Sequence, residues 1–219
     1  MAFDQHMDSP EMTLSSHRRR VVLSMLCIGL SFAAPAGAAD TDPAIARIRS
    51  FYDALLDTMK QASRTSVRTR YDRLAPAVRA TFDLPAMTRI AVGPAWTTIP
   101  APEQQALIEQ FGRLTIATYA NRFDGYSGER FEVDSAVETR GANRIVHSQI
   151  IRTKGDPVVL NYLVHPVDDG WKAIDVYLTG TISELATRRS EFGTLLRDGG
   201  PASLIESLRQ RADRMLQPT

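Results

Sequence analysis

Asp175 and Arg189 are the residues whose placement most demands a chemical explanation. Asp175 lies within an alternating segment, residues 171–178, on the face carrying Trp171, Ala173 and Tyr177. Arg189 falls in a helical stripe with Ile182, Leu185, Phe192 and Leu196. A charge on an apolar stripe is costly unless it is paired. The spacing therefore predicts a structural ion pair, Asp175 to Arg189, tying a strand to the helix that follows it. Gly180 breaks the strand between them, and Thr181, Ser183 and Glu184 read as part of a capping box that starts the helix.

Other chemistry is thinly supported. His147 and His165 are the histidines beyond the first forty residues, and both sit on predicted strands. No HExxH, HxxxH or Cys/His cluster accompanies them, so neither a metal nor any other cofactor is expected. Gly125-Tyr126-Ser127-Gly128 has the wrong spacing for a nucleophile elbow and follows a helix rather than a strand. Asp168 and Asp169 stand before Gly170 in a hairpin turn, where local hydrogen bonding accounts for them.

The elements that must position these residues follow from periodicity. Asp42-Pro43 opens a helix through Ile45, Ile48, Tyr52, Leu55, Leu56 and Met59. A second carries Val67, Tyr71, Leu74, Val78 and Phe82, with Lys60, Arg64, Arg68, Arg70 and Arg73 forming a cationic face. A short third helix starts at Asp83 and ends at Gly93-Pro94. A fourth presents Leu107, Ile108, Phe111, Leu114, Thr115, Thr118, Tyr119 and Phe123 on one broad face. The period then changes to two. Strands are predicted over 131–138, 144–152, 158–165 and 171–178, joined by tight turns. Two helices follow, one from Ile182 closed by Gly199-Gly200 and one through Leu204, Leu208, Ala212 and Met215. The expected architecture is α+β: a four-stranded antiparallel twisted meander packed with about six helices. Both faces of the third and fourth strands are apolar, which fits either helices on both sides or one face lining an apolar pocket.

Bulk properties narrow the class. The chain has 219 residues, and 26 basic against 25 acidic side chains leave a formal charge of +1. That balance argues against a nucleic-acid partner. His17-Arg18-Arg19-Arg20, an apolar run from Val21 to Ala34, and Ala36-Gly37-Ala38 have the anatomy of a signal peptide over residues 1–39 with an over-long n-region. The single cysteine, Cys27, lies inside that run. Residues 40–219 are then one exported domain.

Phe82-Asp83-Leu84, Trp96, Glu103-Gln104, Phe111, Tyr119-Ala120, Trp171-Lys172, Asp175, Gly180, Ser183, Arg189 and Phe192 together resemble the MlaC-like (toluene-tolerance) family. The wording of residues 180–192 is more similar to its hopanoid-biosynthesis-associated branch, HpnM. The resemblance implies a periplasmic, non-enzymatic carrier whose helices and sheet enclose a pocket for lipid acyl chains. Its implied partners are phospholipid or a hopanoid-related lipid, an inner-membrane transporter complex and an outer-membrane lipoprotein. Its implied cofactor is none beyond the lipid cargo. The residues expected to line the pocket are Trp96, Phe111, Leu114, Tyr119, Ile150, Leu160, Tyr162, Val176 and Leu178. Two other readings compete. One is an exported enzyme using His147 or His165 beside Asp175; the other is an accessory subunit of a membrane complex with a filled core.

Overall fold

Helix caps and glycine turns set the order of elements along residues 42–217, which the computed structural model describes. The leader expected over residues 1–39 lies outside them. Helix α1 spans Pro43–Lys60, with the Asp42 carboxylate accepting from the Ala44 amide at 2.8 Å. The same carboxylate meets Arg144 at 2.6 Å, and that guanidinium lies over the Trp171 ring at 4.2 Å. Helix α2 (Val67–Thr81) is capped by Ser66, and α3 (Leu84–Val92) by Asp83. A 3-10 segment, Gly93–Thr98, leads to α4 (Ala101–Arg122). Strands β1 (Arg130–Arg140), β2 (Asn143–Ile151), β3 (Val158–Val167), β4 (Gly170–Leu178) and β5 (Ile182–Ser183) precede α5 (Glu184–Met215).

The fold class is α+β with an antiparallel sheet, and two counts differ from expectation. The sheet has five strands in sequential order, not four. Thr179 and Gly180 adopt positive φ (51° and 80°) and reverse the chain tightly. Ile182 and Ser183 can therefore pair back against Leu178 and Tyr177. The helix consequently starts at Glu184 and is capped by Ser183, whose hydroxyl accepts from the Ala186 amide at 2.9 Å. Thr181 is not the cap. The helices number five rather than six when α5 is counted once, but α5 holds both helices expected after the sheet, parted at the glycine pair where the sequence placed the break. Gly200 (φ 67°, ψ −171°) is non-helical and separates the two, and Pro201 fits the first turn of the second.

A second departure changes which side chains face the helices. Leu163 pairs with Asp175 and Val164 with Ala173, which leaves Ile174 as a bulge. Alternation along β4 shifts phase there. Trp171 and Ala173 share a face with Pro166 and Val164, whereas Val176 and Leu178 share it with Tyr162 and Leu160. Simple period-two reading puts Ala173 and Val176 on opposite faces.

One buried cluster links this sheet face to all five helices. Tyr52 on α1 packs at a tilt against Phe131 and edge-on against Tyr162, with centroids 4.6 and 5.8 Å apart, and its hydroxyl meets that of Ser148 at 2.7 Å. Arg70 departs from the cationic face expected of α2. It is buried, donating to the carbonyls of Ala120 at 2.9 Å and Thr65 at 2.8 Å. It thereby pins α2 to the C-terminal end of α4, where carbonyls lack helical partners.

Candidate functional site

Between the sheet and α4 the packing opens into a cavity of about 250 Å³. Its sheet wall is Ile150, Val158, Leu160, Val176 and Leu178, carried by the converging ends of β2, β3 and β4. Helix α4 supplies Phe111, Thr115, Thr118, Tyr119 and Arg122, with Phe123 just beyond it. Phe82 and Met87 close another side, and Glu184 and Arg188 come from the first turns of α5.

The two threonines behave here as apolar residues. Thr115 donates to the Phe111 carbonyl and Thr118 to that of Leu114, each at 2.8 Å. Their hydroxyls are satisfied within their own helix, so they bring no unmet hydrogen-bonding demand to the wall. Polarity is concentrated at one rim. Arg188 is only 16 % exposed, pairs with Glu184 at 3.0 Å, and lies over the Phe111 ring at 5.8 Å. The Tyr119 hydroxyl ionises well above the ordinary tyrosine range, chiefly because burial disfavours the phenolate. Nearby Glu184 adds to that shift, while Arg122 and Arg188 oppose it.

Six of the nine residues expected to line a pocket do surround this cavity: Phe111, Tyr119, Ile150, Leu160, Val176 and Leu178. The other three lie elsewhere. Tyr162 is buried in the solid part of the core beneath Tyr52 and Phe82. Leu114 faces an adjoining cleft. Trp96 sits on the 3-10 segment, with its carbonyl accepting from Gln104 at 2.9 Å and its ring under Arg89. Sequence reasoning missed Phe82, Met87, Phe123, Val158, the two threonines and the charged rim. Thr115 and Thr118 were legible as part of the apolar stripe of α4, and Val158 as part of the apolar face of β3.

The expected ion pair is corrected by the structure. Asp175 is buried, but its carboxylate accepts from the Ser183 hydroxyl and from the amides of Val176 at 2.8 Å and Leu185 at 3.2 Å. It does tie β4 to α5, through neutral donors at the helix N-terminus rather than through a cation. Arg189 is exposed and packs beside Gly93, where an added Cβ would lie 2.9 Å from its Nε. The arginine in the inward stripe is Arg188, three residues after Leu185 and four before Phe192. Neither histidine joins Asp175. His165 Nε2 contacts the Asp83 carboxylate at 2.9 Å, and His147 Nε2 lies 3.4 Å from Glu138. Among the described residues no group of His, Cys, Asp and Glu could hold a metal ion.

Residues 49–210 match the family described as MlaC protein. The chain belongs to the MlaC family. The fold of this MlaC family member is similar to that of the phospholipid-binding protein from Ralstonia solanacearum, solved in complex with a phospholipid at 1.53 Å. The two superpose with a TM-score of 0.70 at 22 % identity, covering 80 % of this chain and 99 % of the other. No curated protein sequence matches. At that identity the likeness establishes the shared fold.

Proposed function

We propose that this protein is a periplasmic lipid carrier that takes acyl chains into the cavity between the sheet and α4. The single observation that carries this reading is that apolar cavity, set in the MlaC fold and lined by side chains of three strands and three helices. A lipid with roughly thirty methylenes stands to lose on the order of 20 kcal/mol on leaving a bilayer, at about 0.8 kcal/mol each. Only a protein that shields most of them can move it through water. The Ralstonia neighbour, which holds a phospholipid, shares the scaffold.

The volume sets a condition on that role. About 250 Å³ falls just under the roughly 300–1,000 Å³ of ordinary ligand pockets. A two-chain lipid therefore requires the cavity to widen. Helix α5 closes one rim with Glu184 and Arg188. Membership of the MlaC family supports delivery to an inner-membrane transporter. The leader-like residues 1–39 support export, and the wording of residues 180–192 supports the hopanoid-associated branch, with phospholipid or a hopanoid-related lipid as cargo.

Organic extraction of the protein purified from the periplasm, followed by mass spectrometry, tests the reading. Lipid near one molecule per chain is expected. Leu160→Trp should fill the cavity and abolish that lipid while the fold persists. A lipid-free wild type, or full lipid retention in the variant, counts against this cavity as the carrier site.

A further inference from the structure

One rim of the cavity is charged while the rest of its wall is apolar, and the charges at that rim do not cancel. Arg188 is matched by Glu184 at 3.0 Å, and in the adjoining cleft Arg211 is matched by Glu191 at 2.6 Å. Arg122 has neither an ion-pair partner nor a side-chain hydrogen bond among the described residues, so three arginines face two glutamates. As the last residue of α4 it gains from the helix dipole. The dipole alone, however, gives no reason for the side chain to border two concavities at once. The cavity and the cleft, the latter about 230 Å³, share Thr118, Arg122, Glu184 and Arg188. Their junction is where an apolar tail would end and a polar head would begin.

We infer that Arg122 and Arg188 form a subsite for the phosphodiester of the cargo lipid. This rests on the carrier reading and narrows it to a cargo bearing a phosphate. One unmatched positive charge complements the single negative charge of a phosphodiester, and a guanidinium meets two phosphate oxygens in a fork geometry. Glu184 holds the Arg188 guanidinium at the rim, while Arg122 supplies the charge left over. A neutral polyhydroxylated lipid would leave that charge unused.

The test compares binding of a short-chain phosphatidylglycerol with that of the diacylglycerol carrying the same chains. The wild type is expected to bind the phospholipid about tenfold more tightly or better, the scale of one charge-assisted contact. Arg122→Gln should reduce that preference to within about twofold by weakening phospholipid binding. The double variant Arg188→Gln/Glu184→Gln, which removes the pair as a unit, should also narrow the preference. Inorganic phosphate at millimolar concentration is expected not to compete. Equal wild-type affinity for the two lipids overturns the subsite and leaves the carrier reading standing, as does an undiminished preference in Arg122→Gln. Competition by inorganic phosphate equal to that by the phospholipid would make this a free-anion site and overturn the lipid assignment. Failure of both lipids to bind the wild type overturns the carrier reading and the subsite with it.

Discussion

The same face of the sheet is solid at one end and hollow at the other, although its own side chains differ little. At the solid end Val146, Tyr162, Val164 and Ala173 lie under α1, whose Phe51 and Tyr52 interlock with Phe82, Phe131 and Tyr162. At the hollow end Ile150, Val158, Leu160, Val176 and Leu178 lie under α4. The strand wall at the hollow end is wholly valine, leucine and isoleucine, and the solid end keeps two valines beside the small Ala173 and the ring of Tyr162. The cover makes the difference. Helix α1 drives aromatic rings down onto the strands, whereas α4 presents small threonines between Phe111 and Tyr119. The cavity comes mainly from what the helix withholds, since the strand ring of Tyr162 fills only the solid end.

The largest effect that would break this contrast is a core truncation. Tyr162→Ala removes a fully buried ring from the solid end and is expected to cost about 3–5 kcal/mol. Leu178→Ala, on a half-buried wall that already faces a void, should cost about 1–2 kcal/mol. Denaturant unfolding of both variants measures the gap. Equal losses would mean that the two ends are packed alike.

Alkaline pH probes the same contrast through its tyrosines. Burial pushes Tyr52 up to about 12, and it raises Tyr162 and Tyr119 as well. Below pH about 10 these phenols are protonated whether the chain is folded or not. Above it the unfolded chain releases protons that the folded chain keeps, so the unfolded state binds fewer and stability falls as pH rises. The decline should run from pH about 10 to about 12 for Tyr52. Thermal melts across that window check it, and Tyr52→Phe should shallow the slope.

Much of this molecule was legible in its sequence because caps and turns are local. Asp42, Asp83 and the Asp168-Asp169-Gly170 hairpin mark their boundaries with few residues, and the antiparallel meander follows from the short links. What escaped depends on geometry that periodicity does not encode. The Ile174 bulge shifts β4 by one residue, and the reversal at Thr179-Gly180 creates β5 and moves the cap from Thr181 to Ser183. Adjacent arginines at 188 and 189 differ by about 100° around a helix, so choosing between them needs the true helix phase. The pocket was half legible for a related reason. Sequence identifies apolar faces, but whether two such faces touch is decided by the size of whatever stands opposite.

Asp175 and Arg189 give a sharper, smaller contrast. Asp175→Asn exchanges a carboxylate that accepts three hydrogen bonds, two of them from the start of α5, for an amide that cannot satisfy them equally, at about 1.5–3 kcal/mol. Arg189→Ala, at an exposed side chain with no ion pair among the described residues, should stay within about 0.5 kcal/mol. Melting both variants decides whether the link from strand to helix runs through amides or through a cation. A double variant losing clearly less than the sum of the two single losses would restore the ion pair.

The smallest expected change bears most directly on the hollow end. Thr115→Val replaces a hydroxyl that bonds only to its own helix with a methyl of similar size. The Phe111 carbonyl keeps its ordinary helical partner, so stability should move by less than about 1 kcal/mol, the scale of one neutral hydrogen bond. Lipid retention should be unchanged, because the wall was already apolar in effect. A marked loss of bound lipid in Thr115→Val would mean that the hydroxyl turns toward the cargo, and the cavity would then be a partly polar site rather than a sleeve for hydrocarbon.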